Sequence, residues 1–360
     1  MAGNKKQIEA KIAKNDEFYT QYSDIQYEVN AYIEYNPDVF KDKTILLPCD
    51  DPEWSNFTKF FAQNFERYGI KKLISTSYAI DSKKYKEEDW QPSLFESVDP
   101  RFDRTKTRIK GKIFTLEKSS GNRGRVDINN LKWNYLEGDG DFRSEEVKKL
   151  RDEADIIVTN PPFSLFEEFL SWIIKADKKF MIICNKSCVT YKDVFPLIKN
   201  NQIWSGKTEW SGGMWFETKN LKDVDKVING IAMKNQPTMW LTNIEHGRRH
   251  QPLSLMTMAD NIRYSTRKQV KGHEYKKYDN YDAIEVPYVE AIPSDYDGVM
   301  GVPITFLDKY CPEQYEIMGL AASAGYNAAI VGIPFCGEKD ARPLIDGKNI
   351  YARIFIRRKK

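Results

Sequence analysis

Asn160-Pro161-Pro162-Phe163 is the densest chemical signal in the chain, and it directly follows the apolar run Asp155-Ile-Ile-Val-Thr, which reads as a buried strand. Two consecutive prolines stiffen the backbone and remove two N–H donors, so this turn offers carbonyl acceptors with little competition. The Asn160 side-chain oxygen and the Pro161 carbonyl can converge on one planar –NH2 group while Phe163 stacks on the attached ring. An exocyclic amine on such a ring is a poor nucleophile, because its lone pair is delocalised. Two acceptors pulling on its hydrogens favour the pyramidal nitrogen, whose lone pair can attack. Asn is not a base, so the proton leaves during or after attack, and no Ser/His/Asp or Cys/His set is needed. A proline-rich turn entering a helix would use the same residues for packing alone. Their place just after a strand favours chemistry.

The elements around this turn alternate. Thr44-Ile-Leu-Leu-Pro reads as a short buried strand. Asp51 then caps a helix with Pro52 at its first position, and Trp54, Phe57, Phe60, Phe61, Phe65 and Tyr68 recur at helical spacing until Gly69 stops it. Leu73-Ile-Ser-Thr-Ser-Tyr is the next strand, a helix starts at Ser144, and Phe180-Met-Ile-Ile-Cys is a further buried strand. Ser164 and Glu167 have capping-box spacing for a helix that turns Leu165, Phe166, Phe169, Leu170, Ile173 and Ile174 inward. Short apolar strands alternating with amphipathic helices predict a mostly parallel sheet covered on both faces. Ligands in such sheets bind at the carboxyl ends of the strands. After about residue 245 the pattern changes to Pro, Tyr and short apolar runs (298–307, 328–333, 350–356), which reads as a second, mixed domain ending in Arg357-Arg-Lys-Lys.

With 360 residues, 41% hydrophobic and 30% charged, the chain has the composition of a globular protein of two domains or slightly more. Its apolar runs are far short of the roughly 20 residues a membrane helix needs, and no apolar segment follows Met-Ala-Gly-Asn-Lys-Lys as in a secretory leader. Five cysteines without a CxxC pair suit a reducing cytoplasm. The 13% aromatic content serves either core packing or stacking on bases, and composition does not choose between them. Net charge is only +3, but between Arg101 and Arg125 nine positive residues face two negative ones, a local +7. That insertion, at about residues 95–130, is either a solvated loop or a phosphate-contacting surface.

At the Asn-Pro-Pro-Phe turn the chain resembles amino-group methyltransferases. More closely it resembles the EcoRI-type adenine-specific DNA methyltransferase family, through Asn15-Asp-Glu-Phe-Tyr-Thr-Gln, Leu47-Pro-Cys-Asp-Asp-Pro, Ile157-Val-Thr-Asn-Pro-Pro-Phe and Asp297-Gly-Val-Met-Gly-Val-Pro-Ile-Thr-Phe-Leu-Asp-Lys-Tyr. The resemblance covers nearly the whole chain. It implies an α/β, Rossmann-like methyltransferase core at 1–245 that uses S-adenosylmethionine, and a mixed α+β target-recognition domain at 246–360. It further implies methylation of adenine N6 in double-stranded DNA by base flipping, with Asn160, Pro161, Pro162 and Phe163 holding the adenine. Phe18, Tyr19 and Thr20, with Pro48, Cys49 and Asp50, would line the methionine end of the cofactor. Tyr78 would follow at the end of the second strand, and Asp139 or, as the better match, Asp141 with Phe142 would meet the cofactor adenine. The sequence departs from the pattern in two places. Pro48-Cys49-Asp50-Asp51-Pro52 stands where a glycine-rich turn is usual, and Ser75-Thr-Ser-Tyr78 offers no acid for the ribose hydroxyls.

The DNA-binding residues expected on this reading are Arg104, Lys106, Arg108, Arg123 and Arg125 for phosphates, with Arg248 and Arg249 for base readout. His246-Gly-Arg-Arg-His250 has the spacing of a zinc helix but lacks the interior Glu, so no metal is expected. A restriction endonuclease sharing the DNA site without a stable complex is an expected companion. Two rival readings stay open from sequence: methylation of another planar amine, in RNA or on a protein glutamine, and a DNA-binding module that has lost catalysis.

Overall fold

The computed structural model describes residues 19–79, 102–118, 132–218, 224–322, 333 and 341–359. Phe18, Arg101, Arg123, Arg125, Cys336 and the run at 328–332 lie outside the described residues. Two compact units emerge, Met1–Asn185 with Ser211–Ile244, and Lys186–Trp210 with Glu245–Lys360. The sequence draws one boundary at 245; the chain in fact crosses earlier as well, because residues 186–210 pack with the later unit.

The first unit contains strands β1 (Tyr19–Thr20), β2 (Thr44–Leu47), β3 (Lys72–Thr76), β4 (Lys112–Glu117), β5 (Trp133–Tyr135), β6 (Ile156–Thr159) and β7 (Lys179–Asn185). Its main sheet runs β5-β4-β3-β2-β6-β7 and continues to the strand Thr238–Thr242. β3, β2, β6 and β7 are parallel to one another, whereas β4, β5 and Thr238–Thr242 are antiparallel to their neighbours. The sheet is therefore mixed, with a parallel centre and antiparallel flanks. β2 and β6 are buried at every position, as continuous apolar runs between covered faces require.

Two helix starts differ from the sequence reading. Asp51 does not cap a helix, because its carboxylate accepts the Glu53 N–H in a turn of its own. Ser55 is the cap, accepting from the Phe57 N–H, and the helix is Asn56–Gln63. The Ser164–Glu167 capping box is likewise replaced by a 3₁₀ turn at Phe163–Leu165, and the α-helix spans Phe166–Ile174. Ser144 does cap its helix, Glu145–Glu153. Much of the aromatic content is core. Phe57, Phe60, Phe61 and Phe65 pack with Tyr32, Phe40 and Trp240, and edge-to-face pairs such as Phe60–Phe61, centroids 5.3 Å apart, recur among them.

In the second unit Met300–Pro303 lies between Ile284–Glu285, which is parallel to it, and Arg353–Arg358, which is antiparallel, with Tyr315–Ala321 beyond. Tyr278, Tyr281 and Phe355 pack at its core. The basic end is tied down rather than loose: Arg357 pairs with Glu316 at 2.5 Å and Arg358 with Asp297 at 2.8 Å.

Candidate active site

Because β3, β2 and β6 are parallel neighbours, the loops that follow them meet at one edge of the sheet. They bring together Ser77 and Tyr78, Pro48-Cys49-Asp50, and Asn160. Asp50 joins two of the loops. It is 6% exposed, and its carboxylate accepts from Ser55 Oγ and from Thr159 Oγ1, each at 2.6 Å. Its N–H donates to the Thr76 carbonyl at 2.9 Å, which adds the end of β3. Burial pushes the Asp50 carboxyl up to about 7; the two hydroxyl donors pull it down and the Asp51 charge pushes it further up. The Cys49 thiol is also raised, by burial first and the Asp50 carboxylate next, so it is a poor nucleophile.

Thr159 is the residue before Asn160, so the Asp50 link fixes the strand end from which the Asn-Pro-Pro-Phe turn departs. Asn160 Nδ2 donates to Thr20 Oγ1 at 3.5 Å, which orients the carbonyl oxygen as the acceptor end of the side chain. That oxygen is shielded from solvent. Phe163 is half-buried against the core. Thr20 is held by β1, which pairs with Met214–Glu217 in a second sheet, and its carbonyl accepts from Asn56. Tyr19 lies beside it in the same strand.

The turn 138–142 packs against the end of β3. Gly140 has φ +81°, and a Cβ there would fall 2.1 Å from the Ser77 carbonyl oxygen, so glycine is required by both conformation and space. The Ala79 N–H donates to the Asp139 carbonyl at 2.7 Å. Asp139 and Asp141 thus come to the same edge as Asp50's loop, but they are not equivalent. Arg143 forks onto Asp141 with bonds of 2.9 and 2.6 Å, and these outweigh burial and hold the Asp141 carboxyl below its ordinary range. Phe142 is 5% exposed and packs edge-on to Phe169 and Trp172, so its ring supports the turn from beneath.

Two residues that sequence reasoning missed complete the edge. Lys112, the first residue of β4, is 3% exposed, ion-paired with Glu53 and within 3.8 Å of Asp51 in the loop after β2. Its ammonium also lies 4.7 Å from the Trp133 ring centroid. It belongs to the basic run between Arg101 and Arg125, and only its partners 59 and 61 positions earlier in the chain set it apart. Thr159 gave no signal beyond its place next to Asn160.

Elsewhere the expected DNA-binding residues divide. Asp103 caps a short helix, Arg104–Ile109, and Thr107 anchors it to the Tyr135 hydroxyl at 2.7 Å. Arg104 and Lys106 are exposed on it and Arg108 is half-buried. Arg248 and Arg249 differ. Arg248 pairs with Asp308 at 3.0 Å and donates to the Lys207 carbonyl, and Arg249, 5% exposed, pairs with Glu245 and lies over the Trp204 ring. Their guanidinium groups are spent inside the second unit, so neither offers the exposed fork that base readout needs. His246 bonds the Ser205 carbonyl, and burial lowers its imidazole to about 4; His250 sits between Glu245 and Glu313. Among the described residues no cluster of His, Cys, Asp or Glu could hold a metal ion, and no helix is long and apolar enough to cross a membrane.

Comparison with known proteins places the chain in a family. The family model described as adenine-specific methyltransferase EcoRI matches residues 7–359. The chain is 40% identical to the type II methyltransferase M.EcoRI of Escherichia coli, over 100% of this chain and 98% of that protein. It is 34% identical to the type II methyltransferase M.MpnI of Mycoplasma pneumoniae, over 87% of this chain and 85% of that protein. A third relative, the type II methyltransferase M.MgeORF184P of Mycoplasma genitalium, is 31% identical over 98% of both chains. No solved structure gives a match. With a family model spanning almost every residue and a relative 40% identical over its full length, the chain belongs to the EcoRI family of adenine-specific methyltransferases.

Proposed function

We propose that the protein transfers a methyl group from S-adenosylmethionine to N6 of an adenine flipped out of double-stranded DNA. The observation that carries this is Asn160 at the carboxyl end of β6, oriented by Thr20 and fixed through Thr159 and Asp50 to the loop after β2. Asn160 Oδ1 and the Pro161 carbonyl accept from the target –NH2, Pro162 keeps the turn stiff, and Phe163 stacks on the ring. Extruding the base costs a few kcal/mol, offset by these contacts. Positioning of this kind is worth roughly 7–11 kcal/mol of the barrier.

S-adenosylmethionine, when bound, supplies an electrophilic methyl group. The residues proposed to hold it are Phe18, Tyr19, Thr20, Pro48, Cys49, Asp50, Tyr78, Asp139, Asp141 and Phe142. The residues fit in that three acidic side chains reach one edge as acceptors for ribose hydroxyls, Asp141 with Arg143 forked onto it and Asp50 with Ser55 and Thr159 already on its oxygens. With Phe142 packed inward, its part is to shape the turn that presents Asp139 and Asp141. Arg104, Lys106 and Arg108 supply phosphate contacts, with Arg123 and Arg125 further along the same insertion, and the second unit supplies base readout through residues other than Arg248 and Arg249. A restriction endonuclease would share the site on DNA without a lasting complex. The test is methyl transfer from labelled S-adenosylmethionine to duplex DNA, RNA and a glutamine-containing peptide offered in competition. Label confined to duplex DNA, recovered as N6-methyladenine, supports the reading. Label in RNA or peptide, or no transfer and no cofactor binding, refutes it.

A further inference from the structure

The sheet that positions Thr20 also carries an apolar hairpin. β1 pairs with Met214–Glu217, that strand with Ile231–Gln236, and this last with Lys226–Ile228. The hairpin closes through Asn229 and Gly230, both at positive φ (51° and 81°), the pattern of a tight two-residue turn matched to strand twist. Ile228 faces Ile231 and Val227 faces Ala232 across it. Every residue from Asp225 to Ile231 is exposed, including Val227 at 65%, Ile228 at 37% and Ile231 at 40%. Three β-branched apolar side chains at the tip of a rigid turn are a poor choice for a merely hydrated loop.

Its place in the sheet suggests what covers it. Thr20 pairs with Phe216, and Phe216 with Lys234, so Ile231 stands two strands across and three residues along from Thr20. At about 4.8 Å per strand and about 3.4 Å per residue, the tip lies roughly 14 Å from the residue that orients Asn160. That is within the width of a duplex whose adenine occupies the site. The hairpin also begins with an exposed cation, Lys226, seated 3.8 Å from the Trp215 ring centroid, where it suits a phosphate beside an inserted apolar tip. We propose that Val227, Ile228 and Ile231 enter a groove of the bound DNA and wedge against the base pairs next to the extruded adenine, as apolar side chains do in proteins that unstack DNA. This rests on the reading of the protein as a duplex-DNA adenine methyltransferase.

The test variant is Val227→Thr with Ile228→Thr and Ile231→Thr, which keeps β-branching and removes the apolar surface. Substrates are a duplex bearing the site mapped by sequencing wild-type-modified plasmid, and the same duplex with the target adenine mispaired. The variant should lose about tenfold in kcat/KM on the paired duplex, keep its S-adenosylmethionine Kd, and recover most of the loss on the mispaired one, where extrusion is easier. Equal rates on the paired duplex would overturn the wedge while leaving the methyltransferase reading intact. Equal losses on both duplexes would mean that the hairpin serves binding or folding only, and would also overturn it. A wild-type dimer that the variant converts to monomer, with methylation unchanged, would assign the tip to a second copy instead. Absence of any wild-type methylation of duplex DNA would fell both readings together.

Discussion

Asp50 makes the stability of the protein depend on pH in a way that one substitution should erase. In the folded chain its carboxyl rises from the ordinary 3.8 to about 7, chiefly through burial. Three pH units at 1.36 kcal/mol each put the cost of ionising it in place at roughly 4 kcal/mol. The folded state then holds the proton more tightly than the unfolded one, so between about pH 4 and 7 stability falls as pH rises, and it levels off above 7. Asn in place of Asp50 keeps an acceptor for one of the hydroxyls of Ser55 and Thr159 and carries no charge. In urea unfolding at pH 5, 6, 7 and 8, the stability of wild type minus that of Asp50→Asn should fall by about 2–3 kcal/mol between pH 5 and 7, then stay flat. Parallel profiles across that range would refute the reasoning, because they would place the Asp50 titration well outside it. A difference that grew with pH would show that the hydroxyl bonds dominate burial.

Lys112→Met should destabilise the protein by roughly 3–5 kcal/mol in urea unfolding, because it strands the Glu53 carboxylate beside a buried face, and adding Glu53→Gln should recover part of that loss. Phe163→Ala should weaken retention of the flipped base by about 1–3 kcal/mol, read as reduced fluorescence of 2-aminopurine at the target position; unchanged fluorescence would mean that the ring is only core. Changing Arg104, Lys106 and Arg108 together to Ala should flatten the slope of log K against log salt by about two to three units, with similar losses on specific and random duplexes. An unchanged slope would make that helix an ordinary solvated surface.

What the sequence made legible was local. The apolar runs that became β2, β6 and β7 identified themselves without partners, and so did the turn after β6, because two prolines and an aromatic following a buried strand leave few alternatives. The helix start at Ser144 was visible too, and its hydroxyl accepts from the Val147 N–H three residues on. What the sequence hid was mostly long-range, with local exceptions. Asp51 looked like a helix cap until Ser55 proved the better one, and the choice depended on the Glu53 N–H turning back to Asp51. Lys112 read as part of the basic run and Arg248 and Arg249 as base-reading residues; Lys112 and Arg248 are consumed by acids that the fold brings from far along the chain, and Arg249 by Glu245 four residues before it. The antiparallel flanks β4 and β5 were hidden for a different reason: they are partly exposed and carry no continuous apolar run. The Asp50–Thr159 bond spans 109 residues and could be found only once β2 and β6 were known to be neighbours.

The central claim, that Asn160 acts on the target amine rather than on the cofactor, is tested most directly by expressing wild type and Asn160→Ala in a methylation-deficient host and sequencing the DNA for N6-methyladenine. S-adenosylmethionine affinity of the two purified proteins is measured alongside. Wild type should mark adenine at one recurring DNA sequence, and Asn160→Ala should leave the DNA unmarked while binding the cofactor within a fewfold of wild type. Methylation surviving in Asn160→Ala, or its loss through collapse of cofactor binding alone, would contradict the account.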